Sequence, residues 1–156
     1  LSVSGQLSMQ QGGPTIRKFS QYDWGYEFNT IRRSVYVPLF RNTLLEVFET
    51  FDVANPNVVS GRRSETILPT QALYMMNSPF VNAEAKRAGE RIIRSGATDA
   101  ERVRLVYRLV LGRDPSAVEA DVVMKFIEES KVGEKSGAWS ALVHSLFGSV
   151  DFRHLD

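Results

Sequence analysis

The stretch TDAERVRLVYRLVLGRDP, residues 98–115, decides how the chain is read. Thr98 followed three residues later by Glu101 has the form of a capping box, in which each side chain satisfies the other residue's backbone N–H. Val103, Val106, Tyr107 and Val110 then recur at three- and four-residue spacing, which is one face of an α-helix. Gly112 supplies the stop, because a helix commonly ends on a left-handed residue that glycine adopts without a Cβ clash. Asp114-Pro115 marks the start of the next helix, with Val118, Val122, Phe126 and Ile127 expected on its inner face. A polar linker at 131–137 leads to the last helix, whose Trp139, Leu142, Val143, Leu146, Phe147 and Val150 form an apolar stripe. Residues 98–150 thus read as three antiparallel helices with short connections.

Working back from Thr98, Ser78-Pro79 opens a helix to about Ser95, since serine caps and proline suits the first turn; Asn77 is the alternative cap. Pro69 to Met76 reads as a short buried apolar helix, with Met75 and Met76 as gap-filling core. Gln71 and Asn77 suit hydrogen bonds to backbone at helix ends. Thr43-Leu44-Leu45-Glu46 repeats the capping-box form and predicts a helix over 43–51, with Leu44, Val47, Phe48 and Phe51 at helical spacing. Asp52 to Pro69 is a long connection. Before residue 43 the helical period disappears, and Gln10 to Pro14 is a turn. Tyr22, Trp24, Tyr26 and Phe28 alternate strictly, so an extended chain carries the rings on one side. They suit either an arm packed on the helices or an aromatic platform for a ligand. The predicted class is mainly α: an irregular N-terminal arm on a five- to six-helix bundle, ending in a three-helix sub-bundle. We read one domain over 1–156, with an aromatic and arginine-bearing arm at 1–42, helices and a long loop at 43–97, and the sub-bundle at 98–156.

Composition narrows the functions. The 156 residues are 43% hydrophobic and 24% charged, the proportions of a folded domain. Nineteen basic and 18 acidic residues leave a net charge of +1, without the basic excess of a nucleic-acid domain. No apolar run reaches the roughly 18 residues of a membrane span. Cysteine is absent, which removes disulfides, thiolate nucleophiles, cysteine zinc sites, iron–sulfur clusters and Cys-x-x-Cys-His haem attachment. The opening Leu1-Ser2-Val3 has neither an initiator Met nor a signal-peptide pattern, so the chain is read as part of a longer polypeptide.

Familiar active-site patterns are missing too. The two histidines, His144 and His154, stand ten residues apart rather than three or four, and His144 falls off the apolar stripe, facing solvent or a neighbouring domain. There is no Gly-x-Ser-x-Gly elbow and no phosphate-cradling glycine loop. Asp23, Glu27, Asp52 and Glu65 are available as acids, but nothing in their spacing pairs them. Arginine is more informative. Arg32, Arg33 and Arg41 precede the first helix, and Arg62 and Arg63 lie in the connection after it, near Asp52. Guanidinium forks bind carboxylate or phosphate in pairs. They fit either an internal network pinning the long loop or a pocket for an anionic group such as a sulfated or uronic sugar. No residue is nominated as catalytic, and no cofactor or metal is assigned to this chain.

Those arginines also carry a resemblance. Arg32 to Pro38, Phe51 to Asn57, Arg62 to Leu73, Met76 to Val81, Tyr107 to Arg113 and Trp139 to Phe152 are similar to a family of planctomycete-type C-terminal domains of unknown function, number 1553. Ser4 to Leu7 and Gly12 to Pro14 extend the match over essentially the whole chain. The resemblance implies an extracytoplasmic location at the end of a large exported protein with an upstream cytochrome-c-like module, in a setting of polysaccharide breakdown or linked electron transfer. It implies no catalytic residue. The sequence itself does not determine a function; the missing catalytic signatures and the fragment-like ends lead us to expect a non-catalytic structural and docking module of an exported multidomain protein, whose partners are the upstream domains of the same polypeptide. Alternatives are a carbohydrate-binding module for anionic polysaccharide, or an accessory part of a glycan-degrading enzyme.

Overall fold

The computed structural model describes residues 1–14, 16, 30–41, 44–54, 57, 69–96, 98–130 and 135–153. Among them are seven α-helices: α1 Glu46–Thr50, α2 Pro69–Asn77, α3 Pro79–Ile93, α4 Asp99–Leu111, α5 Ala117–Glu129, α6 Lys135–Gly148 and α7 Val150–Arg153. Five have nine residues or more. The only extended pairing among the described residues is one parallel bridge, Ser8 with Arg32. The mainly helical class is therefore as expected. The chain falls into two compact units, one of Leu1–Gly5 with Met75–Asp156, the other Gln6–Tyr74.

In the first unit, α4 is built as residues 98–112 predict. Thr98 accepts from the Glu101 N–H while the Glu101 carboxylate accepts from the Thr98 N–H at 2.8 Å. At the other end Gly112 sits at φ 71°, left-handed. Val103, Val106, Tyr107 and Val110 are all buried. Helices α4, α5 and α6 pack pairwise, but the most extensive packing in the unit joins α3 to α6. Small residues allow it: Ala85, Ala88 and Gly89 lie on the buried face of α3. A Cβ on Gly89 would meet the Ser140 backbone N at 2.7 Å. Helix α6 is thus a central element, with Trp139 and Val143 fully enclosed.

Several expectations are corrected. Helix α5 starts later than Asp114-Pro115: Ser116 is its cap, in a second reciprocal box with Glu119. Its inner face is Val123 and Ile127, whereas Val118, Val122 and Phe126 point outward at 73%, 61% and 43% exposure. Both sets are apolar and helically spaced, so periodicity could not choose between them. Val150 is exposed as well, because the α6 register ends at Gly148 and α7 restarts it. Helix α2 is only partly buried: Met75 and Gln71 are inside, Leu73 and Met76 outside. Ser78, not Asn77, is the cap residue of α3, without a side-chain cap bond. His144 does not face solvent. It is half-buried, and its Nε2 donates to the Met75 carbonyl in the last turn of α2 at 3.0 Å.

In the second unit, α1 occupies 46–50 with Leu45 at its cap, so the helix is shorter than 43–51. Thr43, the cap expected there, lies outside the described residues. The helix ends in a Schellman motif: the Val53 N–H donates to the Phe48 carbonyl and the Asp52 N–H to the Glu49 carbonyl. Asp52 supplies the left-handed residue, at φ 50°. Phe48 is buried, and the Phe51 ring meets Tyr74 edge-on at 6.0 Å.

Candidate functional site

The first unit contains an open recess of about 360 Å³, within the roughly 300–1,000 Å³ usual for binding pockets. Its floor comes from buried Met75, Val81, Val110 and Phe147. Leu109 and Phe152 form one side, the Phe152 ring resting on Phe147 with centroids 4.9 Å apart. Phe80 stands at the mouth, 52% exposed. The opposite wall is the segment Leu1–Val3.

The segment keeps its place through polar bonds to α3. Arg91 donates to the Val3 carbonyl at 2.9 Å and to the Ser2 carbonyl at 3.3 Å. The Ser4 hydroxyl lies between the Leu1 carbonyl and the Glu84 carboxylate, and its one proton serves one of them at a time. Glu84 is only 3% exposed and is the one ionisable side chain among the recess residues. A buried carboxylate must be paired to persist, and its second oxygen accepts from the Arg87 guanidinium. Burial follows from the helical period, since Val81, Glu84, Ala85 and Ala88 share a face. An acid at an apolar position was a signal present in the sequence, and sequence reasoning missed it. The recess offers apolar surface with one acid, Glu84, which is already engaged by Arg87 and Ser4, chemistry suited to seating an apolar side chain or ring.

The residues singled out from sequence lie in the other unit. Arg32 stacks its guanidinium on the Tyr36 ring, 4.1 Å from the centroid, and donates to the Gly12 carbonyl. Tyr36 in turn accepts from the Gly12 N–H at 3.2 Å. Arg33, next in sequence, points elsewhere, with a nitrogen 3.8 Å from Met9 Sδ, and is exposed. Asp52 is the helix-ending residue described above. Arg62, Arg63, Tyr22, Trp24 and Tyr26 lie outside the described residues, as does His154. Among the described residues, no group of three or more His, Cys, Asp or Glu is placed to hold a metal ion, and no helix is long and apolar enough to cross a membrane.

Sequence reasoning also missed a second arginine centre. Arg113 forks onto both Glu119 oxygens, at 2.8 and 2.9 Å, and reaches Asp151 at 2.7 Å, while its guanidinium lies 5.6 Å from the Tyr107 ring centroid. Arg108 holds Asp114 in a similar fork at 2.6 and 2.9 Å. The Arg113 fork, with the Ser116 N–H, holds the Glu119 carboxyl down at about 2. Arg108 lowers Asp114 in the same way, and burial raises the Tyr107 hydroxyl. These bonds tie the end of α4 to the start of α5 and to α7. They complete one another's hydrogen bonding and leave a clamp rather than an open receptor.

The fold and recess define a helical module with a preformed apolar seat. The chain belongs to the PSD1 family, proteins of unknown function (DUF1553), whose family model matches residues 1–127. No curated protein and no solved structure matches it.

Proposed function

We propose that this domain is a non-catalytic docking module of an exported multidomain protein, working outside the cytoplasm and binding neighbouring domains of the same polypeptide. The observation that supports it is the recess. Interfaces draw most of their energy from a few apolar anchors seated in preformed pockets, and this recess has the size, the apolar floor and an exposed aromatic at its mouth for that use. The resemblance to planctomycete-type C-terminal domains supports the setting, with a cytochrome-c-like module upstream. The test is a photoreactive benzoylphenylalanine in place of Phe80 in the full-length protein. Cross-links from this position to another domain are expected. Their absence, together with scattering that shows independently tumbling domains, would refute the reading.

A second reading, binding of anionic polysaccharide, is favoured by the alternating Tyr22, Trp24 and Tyr26 together with Arg62 and Arg63. A glycan array in which acidic glycans bind, and bind less to Trp24→Ala and Arg62→Ala, is its expected result. An array without hits removes it.

A further inference from the structure

A second opening lies between the end of α3 and α4, and what it implies does not depend on the first recess. It is an open cleft of about 460 Å³ lined by Arg91, Ile92, Arg94, Ser95, Leu105 and Leu109, again within the roughly 300–1,000 Å³ usual for binding pockets. Ile92 is buried and Leu105 and Leu109 are half-buried, so three aliphatic side chains give it an apolar surface. Arg91, Arg94 and Ser95 stand exposed around that surface. Among the described residues no acid contributes to the lining.

The two arginines share this edge without a counter-charge. Residues three apart lie about 60° apart on a helix, so Arg91 and Arg94 occupy one side of α3, where like charges repel. Arg91 is held in position, donating to the Ser2 and Val3 carbonyls and packing against Gly5, whose built Cβ would lie 3.3 Å from Nη1. Both bonds use Nη1, leaving Nε and Nη2 without a partner among the described residues. The Arg94 side chain makes no hydrogen bond or ion pair among them. Neighbouring acids are engaged elsewhere: Glu84 by Arg87 and Ser4, Glu101 by the Thr98 cap, Asp99 by Arg102 and Lys135. Glu90, one turn before Arg94, makes no ion pair among the described residues. It falls about 100° from Arg91, on the far side of Arg94 from Ile92 and Ser95. The carbonyls ending α3 are satisfied too, Ile92 accepting from Ser95 at 2.7 Å and Ile93 from Arg102 at 3.0 Å.

We infer that this cleft is a binding site for a small organic anion, a carboxylate carried on an apolar body such as a ring or a short alkyl chain. The carboxylate accepts from the Arg91 and Arg94 guanidinium groups, in the charge-assisted bonds that these forks form best. Its negative charge relieves the repulsion between them. The apolar body covers Ile92, Leu105 and Leu109, taking their surface out of water as an inorganic ion could not.

The test titrates the whole chain with phenylacetate, read by calorimetry and by backbone amide shifts in NMR. Binding is expected, weaker as salt is raised, with the largest shifts at Arg91 to Ser95, Leu105 and Leu109. Acetate, which lacks the ring, and benzylamine, which reverses the charge, should each bind about tenfold more weakly or worse. Arg94→Ala should weaken phenylacetate about fivefold, the loss of one partly exposed charge-assisted bond. Arg94→Lys, which keeps the charge without the fork, should lose less. Arg104→Ala removes an exposed cation of α4 outside the lining and should leave binding unchanged. Circular dichroism checks that each variant keeps its helices. Equal binding of acetate or benzylamine, full binding by Arg94→Ala, or no binding of phenylacetate would overturn the inference. So would shifts centred on Phe80, Val81 and Phe152, which would put the ligand in the first recess instead.

Discussion

Gly89→Ala tests the packing on which the helical unit is built. An alanine Cβ at this position would lie 2.6 Å from Ser140 Oγ, 2.7 Å from Ser140 N and 2.9 Å from Ser140 Cα. Two of these atoms are backbone, so no rotamer change relieves the clash, and α3 and α6 must separate. In an open helix the substitution would gain about 1 kcal/mol from propensity. Overpacking costs typically about 1–3 kcal/mol, and a clash with backbone belongs near the top of that range. The net expectation is a loss of about 2 kcal/mol, from the two terms together. At about 2–4 °C per kcal/mol for a chain of this size, that lowers Tm by roughly 4–8 °C. Gly137 is the control: it lies in the first turn of α6 with nothing within 4 Å of its built Cβ. Gly137→Ala should therefore gain up to about 1 kcal/mol. Urea unfolding followed by tryptophan fluorescence suits the assay, since Trp139 is fully buried beside Ser140 in α6. Adding Ser140→Ala should not restore Gly89→Ala, because the backbone contacts persist. If Gly89→Ala were as stabilising as Gly137→Ala, the close approach of α3 and α6 would be wrong.

Three further outcomes follow from named bonds. Thr98→Ala and Ser116→Ala each remove a reciprocal cap and should each cost about 1 kcal/mol in denaturant unfolding; an unchanged midpoint would show that the boxes do not form. Glu119 has its pKa depressed from an ordinary 4.5 to about 2, so its contribution is present above the ordinary value and is lost as pH falls toward 2. Asp99, Glu101 and Asp114 are shifted in the same direction. Thermal unfolding should weaken over that acid range, and Glu119→Gln should flatten the slope; the same slope in the variant would count against the Arg113 fork. Asp52→Val should destabilise α1 by about 1–2 kcal/mol, because a β-branched residue is strained at φ 50°. Asp52→Asn, which tolerates that conformation, should lose less, and equal losses would refute the Schellman ending.

The legible parts of this protein were those written in local chemistry. Thr98 to Gly112 could be read directly because a cap, a 3.6-residue period and a left-handed stop each act within a few residues. The same locality explains the slip at α5: Asp114-Pro115 and Ser116-x-x-Glu119 are competing starts, and Asp114 is already engaged by Arg108. The arginine cluster was visible as a cluster, yet sequence could not say that Arg32 turns to Tyr36 and Gly12 while Arg33 turns away.

By itself the sequence determined a mainly helical chain, the place of most helices, the caps of α4, the absence of cysteine chemistry and the family. Tertiary structure alone decided which apolar residues go inside, since α5 has enough of them for two faces and only packing against α4 and α6 selects Val123 and Ile127. It also decided that Glu84 is buried, that Arg113 joins three segments, and that α3, α4 and the segment 1–3 leave a recess between them. The physical reason is range. Caps and periodicity are set by residues three or four apart, whereas burial, ion pairing and cavities depend on residues that the fold brings together from distant positions, as Arg91 meets Ser2 across 89 positions.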